Sequence, residues 1–126
     1  MKLQFNKKDG DEFKAYLKNN GYKQYNGAIR TEDYYFAKTL CRSKDDDCDR
    51  SALQMFFSFY DFSKYKNFNN ESFLHVQPTI SVSRNIDERI EMLICNDDIS
   101  DVSEFESIAL KFYSFINSNI QIKTNL

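Results

Sequence analysis

The sequence predicts an α+β domain, one mainly antiparallel sheet of four to six strands with an N-terminal and a C-terminal helix packed on one face. Three observations carry that expectation. The run 51–62 is dense in β-favouring aromatics and alternates with period two, Leu53, Met55, Phe57 and Phe59 against Gln54, Phe56, Ser58 and Tyr60. The segment from Asp101 to Ile116 has helical period, with Val102, Phe105, Ile108, Ala109, Phe112, Phe115 and Ile116 on one stripe. A stripe of that width needs a sheet to cover, and helices at both ends of a run of strands meet it on a single face.

In chain order, Leu3 and Phe5 alternate with polar neighbours as a short first strand. Asp9 or Asp11 can cap a helix that carries Phe13, Tyr16 and Leu17 and stops at Asn19-Asn20-Gly21, because glycine closes a last turn in the left-handed conformation. Asn26-Gly27 after Tyr22 and Tyr25 is a two-residue hairpin signal, with a return strand through Ala28 and Ile29. Residues 34–41 read as a strand with Tyr34, Phe36 and Leu40 on one side. The polar stretch 63–70 separates the aromatic run from Leu74, Val76, Ile80 and Val82, which alternate with His75, Gln77, Thr79 and Ser81 as a half-wet strand. Pro78 lies in that strand's apolar phase and donates no ladder hydrogen bond, so it points to a sheet edge or a bulge. Ile90, Met92 and Ile94 continue the pattern; Asp101 with Glu104 has capping-box spacing, and Ile120 with Ile122 suggests a last strand.

The chain has 126 residues, which fits a single domain spanning 1–126 with one core. Its net charge is −2, the difference of 17 basic and 19 acidic residues, which argues against a protein whose main work is neutralising phosphates. Residues 1–30 carry seven bases against three acids, however, and the remainder ten against sixteen, so one end is basic. Lys7, Lys8, Lys14, Lys18 and Lys23 read as the solvated face and flanks of the first helix. No secretory h-region and no membrane-length apolar run is present, and three cysteines without a CxxC pair suggest reduced thiols, so the expectation is a soluble, cytoplasmic protein.

The three glycines all fall within the first 27 residues, so a P-loop, a dinucleotide turn or a nucleophile elbow cannot be written onto residues 28–126. One histidine, His75, lacks an identifiable nucleophile or orienting acid in sequence. The acids Asp45, Asp46, Asp47 and Asp49 invite a calcium reading, but counting from Asp45 the glycine position holds Arg50 and the bidentate glutamate position holds Phe56. Other carboxylates, Asp61, Asp87, Glu88, Asp97, Asp98 and Asp101, fall in turns or at a helix start where water and the dipole keep them ionised. No catalytic residue, metal ligand or cofactor is therefore assigned.

Eight tyrosines and twelve phenylalanines exceed what one core of this size needs, and aromatic side chains are enriched at interface centres. Phe56, Tyr60 and Phe62 are the best candidates to face away from the core. The expected function is a small non-enzymatic protein-binding module, as an inhibitor, immunity protein, adaptor or chaperone subunit would be. Its partner site combines an aromatic anchor, Tyr60, Phe62, Tyr65 and Phe68, with the acids Asp45, Asp46 and Asp47 that set orientation and on-rate. Two alternatives remain. One is a small-ligand or nucleotide-binding domain or small enzyme with an aromatic-lined pocket between sheet and helix. The other is nucleic-acid association through the basic N-terminal segment, or through Lys64, Tyr65, Lys66 and Phe68, which interleave cations and rings.

Overall fold

The computed structural model describes residues 3–28, 31–42, 52–64, 72–83, 89–93 and 101–124. The elements are β1 (Gln4–Phe5), α1 (Lys7–Asn19), β2 (Lys23–Tyr25), β3 (Tyr34–Arg42), β4 (Ala52–Asp61), a 3-10 turn (Phe62–Lys64), β5 (Leu74–Ser83), β6 (Arg89–Leu93) and α2 (Val102–Thr124). The strands form one antiparallel sheet of six, in the order β2-β3-β4-β5, with β1 and β6 both on the far side of β5. Both helices cover the same face of it, so the α+β architecture follows the alternation and periodicity of the sequence.

Chain reach explains how α1 is laid across the sheet. The helix leaves β1 beside β5 and delivers the chain to β2 at the opposite edge. Four inter-strand spacings are about 19 Å and thirteen helical residues rise about 20 Å, so the helix is as long as the sheet is wide. Its start is capped by Asn6, whose Oδ1 accepts from the Asp9 N–H at 2.8 Å, rather than by Asp9 or Asp11. Gly10 is thereby inside the helix, where the missing side chain lets it lie on Leu74: an added Cβ would stand 2.6 Å from Leu74 Cδ2. The C-terminus closes as the glycine pattern predicts. Gly21 has φ +88°, its N–H donates to the Lys18 carbonyl at 3.1 Å, and the Tyr22 N–H donates to the Leu17 carbonyl at 3.0 Å.

The aromatic phase of β4 supplies the centre of the core. Leu53, Met55, Phe57 and Phe59 are fully buried under the helices. Phe57 meets Phe13 of α1 at 5.8 Å, Tyr22 at 5.3 Å and Phe105 of α2 at 5.2 Å, each edge to face, so one ring ties both helices to the sheet. A second tie is polar. Glu106 on α2 accepts from the buried Tyr22 hydroxyl at 3.1 Å and from Lys38 Nζ at 3.0 Å, and Lys38 also donates to the Asn20 carbonyl at 2.9 Å.

Burial, reinforced by the Glu106 carboxylate, pushes the Tyr22 hydroxyl well above the ordinary tyrosine range. An unfolded tyrosine releases its proton near pH 10. Above that pH the unfolded state binds fewer protons than the native one, so stability is complete below pH 10 and falls as pH rises. The expected slope is about 1.4 kcal/mol per pH unit for Tyr22 alone. Urea unfolding at pH 9 and 11 measures it, and Tyr22→Phe should flatten the dependence.

Further sequence expectations change. Asn26-Gly27 does not close a two-residue hairpin on β2, because β2 pairs with β3 in a register that sets Tyr25 opposite Tyr35 and stacks their rings at 5.1 Å; Ile29 of the expected return strand lies outside the described residues. Tyr34 and Phe36 lie on the helix side of the sheet. In β3 a register shift between Thr39 and Cys41 returns Cys41 to the core side opposite Leu53, and both Leu40 and Cys41 pack against the core. Pro78 is in an inner strand rather than at an edge. Val76 donates to the Leu3 carbonyl at 2.9 Å, so the Pro78 nitrogen, two residues on, faces the same side. There it falls in the gap between β1, paired as far as His75, and β6, paired from Thr79, where no ladder donor is required. Finally, Ile120 and Ile122 belong to α2 and make no last strand.

The sheet face away from the helices is not bare either. Phe56 and Thr79 are 8% exposed and Ser81 1%, so the middle of β5 is dry on both sides and the half-wet reading holds only near its ends.

Candidate functional site

Several polar and aromatic groups that are not absorbed by the core meet at one end of the sheet, where β3 and β5 begin and β4 finishes. Period two divides them between two faces. Tyr60, opposite His75, lies on the face away from the helices and is half-buried. Phe62 follows at the start of the 3-10 turn, and its ring meets His75 edge to face at 4.8 Å while its N–H donates to the Phe73 carbonyl at 2.9 Å. Asp61 between them and Ser63 after them line a cleft on the helix side.

That cleft has a volume of about 670 Å³ and opens to solvent between the first turns of α1 and the ends of β3, β4 and β5. Lys7, Lys8 and Lys14 form the α1 wall, Tyr34 and Asp61 the sheet side, and Phe73 and Leu74 an apolar flank. Its charges are already partly organised. Asp61 Oδ1 accepts from the Ser63 N–H at 2.9 Å and the Ser63 hydroxyl at 2.6 Å, while the Asp61 N–H donates to Asp33 Oδ2 at 2.7 Å. Lys14 Nζ stands 4.8 Å from the Tyr34 ring centre and 3.8 Å from Asp11 Oδ1. Burial, with Asp61, Asp11 and Asp33 nearby, holds the Tyr34 hydroxyl above its usual range, so it enters the cleft as a neutral phenol.

Of the expected partner-site residues, Tyr60 and Phe62 are brought together at this end. Tyr65, Phe68, Asp45, Asp46 and Asp47 lie outside the described residues. The segment carrying the three acids leaves β3 after Arg42 and re-enters at Ala52, at the opposite end of β4 from Tyr60. Eight residue steps of β-strand separate Ala52 from Tyr60, roughly 27 Å, so the two halves of the expected site are attached far apart. Phe56, expected on the outer face, does face away from the helices but is buried beside Tyr35, with ring centres 5.9 Å apart, and is no anchor.

The cleft itself is absent from the sequence reading, which left its lysines on a solvated helix face. A signal existed. Lys7, Asp11 and Lys14 have i, i+4, i+7 spacing, one face of α1, but which strand ends that face would overhang depends on pairings between distant segments. Among the described residues no three His, Cys, Asp or Glu side chains are grouped to hold a metal ion, and no helix is long and apolar enough to cross a membrane. In comparisons with known proteins, the chain matches no family model, no curated protein and no solved structure.

Proposed function

We propose that the chain is a non-catalytic domain that captures a protein partner with the end of the sheet where β4 finishes. The observation that carries this reading is the placing of Tyr60 and Phe62 beside His75, large rings left half-buried near an open cleft while the other aromatics of β4, Phe56, Phe57 and Phe59, are buried. Half-buried aromatics at a rigid strand end supply contact area at small entropic cost, which is the character of interface hot spots. Tyr65 and Phe68, which follow in sequence and lie outside the described residues, are the other two rings proposed for the anchor. The acids Asp45, Asp46 and Asp47 act on the approach of the partner by steering, since their segment joins the opposite end of the strands.

The small-ligand reading draws on a different observation, the cleft volume, which is within the range of ligand pockets. Against it, the space between sheet and helices is filled by Phe13, Phe57, Phe59 and Phe105, and the cleft is open to solvent.

The test is capture from the native host, identification by mass spectrometry, and affinity measurement with the isolated partner. Tyr60→Ala combined with Phe62→Ala should weaken binding by about 30-fold or more, the effect of losing a hot spot worth about 2 kcal/mol. Neutralising Asp45, Asp46 and Asp47 together should slow association and leave dissociation almost unchanged. Undiminished affinity in the aromatic double variant rejects this anchor.

A further inference from the structure

We infer that the sheet face away from the helices receives a proline-rich segment of the protein partner, bound as a polyproline II helix where β2 and β4 end and β3 begins. The inference rests on the protein-binding reading above and gives that partner a chemistry.

The pairing registers bring four hydroxyl-bearing side chains together on this face. Tyr25, Tyr35 and Ser58 lie in one row across β2, β3 and β4, which continues to Gln77 on β5, and Tyr60 follows Ser58 by two residues. Tyr25 is 41% exposed and the other three are half-buried. None of the four hydroxyls has a hydrogen-bond partner among the described residues. Ala37, Thr39, Gln54 and Gln77 around them are neutral, and Lys23 stands at the sheet edge with Nζ 5.8 Å from the Tyr25 ring centre. The surface thus presents ring area and hydroxyl donors that no acceptor of the chain meets.

Backbone chemistry selects polyproline as the occupant. A segment laid over the face of a sheet cannot join its ladder, so the N–H groups of an ordinary chain would leave water for few acceptors. Proline has no N–H, and a polyproline II helix has no internal hydrogen bonds, so its carbonyls are all open to hydroxyl donors. Such a helix is also ordered before it binds, and aromatic surfaces are its usual seat. The relief of the face agrees. Tyr35 rises between two small residues, Ser58 across the ladder and Ala37 along its own strand, and over Ala37 lies a depression of about 430 Å³ lined by Tyr25, Tyr35, Thr39, Gln54 and Phe56. One strand spacing and two residue steps separate Ala37 from Ser58, about 8 Å, close to the roughly 9 Å that a polyproline II helix advances per turn.

The test is a set of amide chemical-shift titrations on the intact ¹⁵N-labelled chain with three neutral probes: acetylated, amidated octaproline, a Gly-Ser octapeptide blocked in the same way, and cellotetraose. Octaproline should shift the amides of Tyr25, Tyr35, Ala37, Ser58 and Tyr60, the Gly-Ser peptide should not, and added salt should leave the effect in place. Tyr35→Phe combined with Tyr60→Phe keeps the rings and removes two hydroxyls, and should weaken octaproline binding by about fivefold or more. Ser58→Val raises the floor beside Tyr35 with a β-favouring side chain and should weaken it by about tenfold or more. Circular dichroism verifies that both variants keep the fold.

No shift with octaproline, equal shifts with the Gly-Ser peptide, or undiminished octaproline binding in either variant would overturn the inference. Tighter binding of cellotetraose at the same amides would overturn it in favour of a sugar. Failure here is separable from failure of the protein-binding reading. That reading is judged with the captured partner and the Tyr60 and Phe62 double variant, whereas octaproline needs no partner and the Tyr35 and Ser58 changes leave Phe62 in place.

Discussion

Phe57→Ala should lower the unfolding free energy by about 3–5 kcal/mol, a large share of the roughly 5–15 kcal/mol that holds a domain of this size together. The side chain is fully buried, and three rings from three different segments, Phe13, Tyr22 and Phe105, rest on it at 5.2 to 5.8 Å. Truncation removes the apolar transfer energy of the ring and opens a void that those neighbours fill poorly, since each is also held by its own helix or turn. The edge-to-face contacts add a smaller loss, about 0.5–1.5 kcal/mol per aromatic pair. Urea denaturation reads the effect as a shifted midpoint at unchanged slope. A loss below about 1 kcal/mol would show that the helices are fastened elsewhere, with Glu106, Tyr22 and Lys38 the next place to look.

Gly10→Val should cost about 2 kcal/mol, even though it removes a glycine from the body of a helix. Replacing helical glycine by valine gains only a few tenths of a kcal/mol, because the β-branched side chain is itself a modest helix former. Against that gain, Cβ alone would stand 2.6 Å from Leu74 Cδ2 and 3.6 Å from Phe5 Cβ, and both partners are buried. Overpacking of a closed site typically costs about 1–3 kcal/mol. Gly10→Ala is the informative companion: its helix gain of about 1 kcal/mol opposes a smaller overlap, so it should fall between wild type and Gly10→Val. Thermal unfolding of the three proteins gives the order directly. If Gly10→Val matched wild type, α1 would not be seated on Leu74 as closely as the structure has it.

Gly10 also shows where sequence reasoning stops. Composition marks it as a residue free of side-chain constraint, and the flanking Asp9 and Asp11 invite a cap there. Only the pairing of Phe5 with Leu74 brings β5 under the helix and makes the absent Cβ a matter of clearance. Pro78 is similar. Its missing N–H argues for an edge, and the edge it occupies is a local gap between two short strands on the same side of an inner one.

The candidate site divides in the same way. The outward direction of Tyr60 was legible because alternation within one strand fixes which residues oppose Leu53, Met55, Phe57 and Phe59, whereas Phe62 follows in the 3-10 turn, beyond the reach of that alternation. The lysine-walled cleft was not legible, because it joins the start of α1 to strand ends some thirty and fifty residues later, and no local period encodes that meeting. Likewise, the acids 45–47 and the aromatics near residue 60 are neighbours in sequence, yet β4 runs between them and attaches them to opposite ends of the sheet.

What the amino-acid order alone determined is whatever depends on short-range periodicity and backbone stereochemistry. The alternating face of β4, the apolar stripe of α2, the Asp101 cap whose Oδ1 accepts from the Glu104 N–H at 2.8 Å, and the left-handed Gly21 stop all belong to that class. What only the tertiary structure decided is whatever depends on which distant segments are paired: the Tyr25 to Tyr35 register in place of a tight turn, the gap that admits Pro78, the close seat of Gly10, and the cleft beside Tyr34. The physical reason is that a side chain's direction is set by its own few neighbours, whereas a cleft or a register is set by the joint burial of residues that share no local signal.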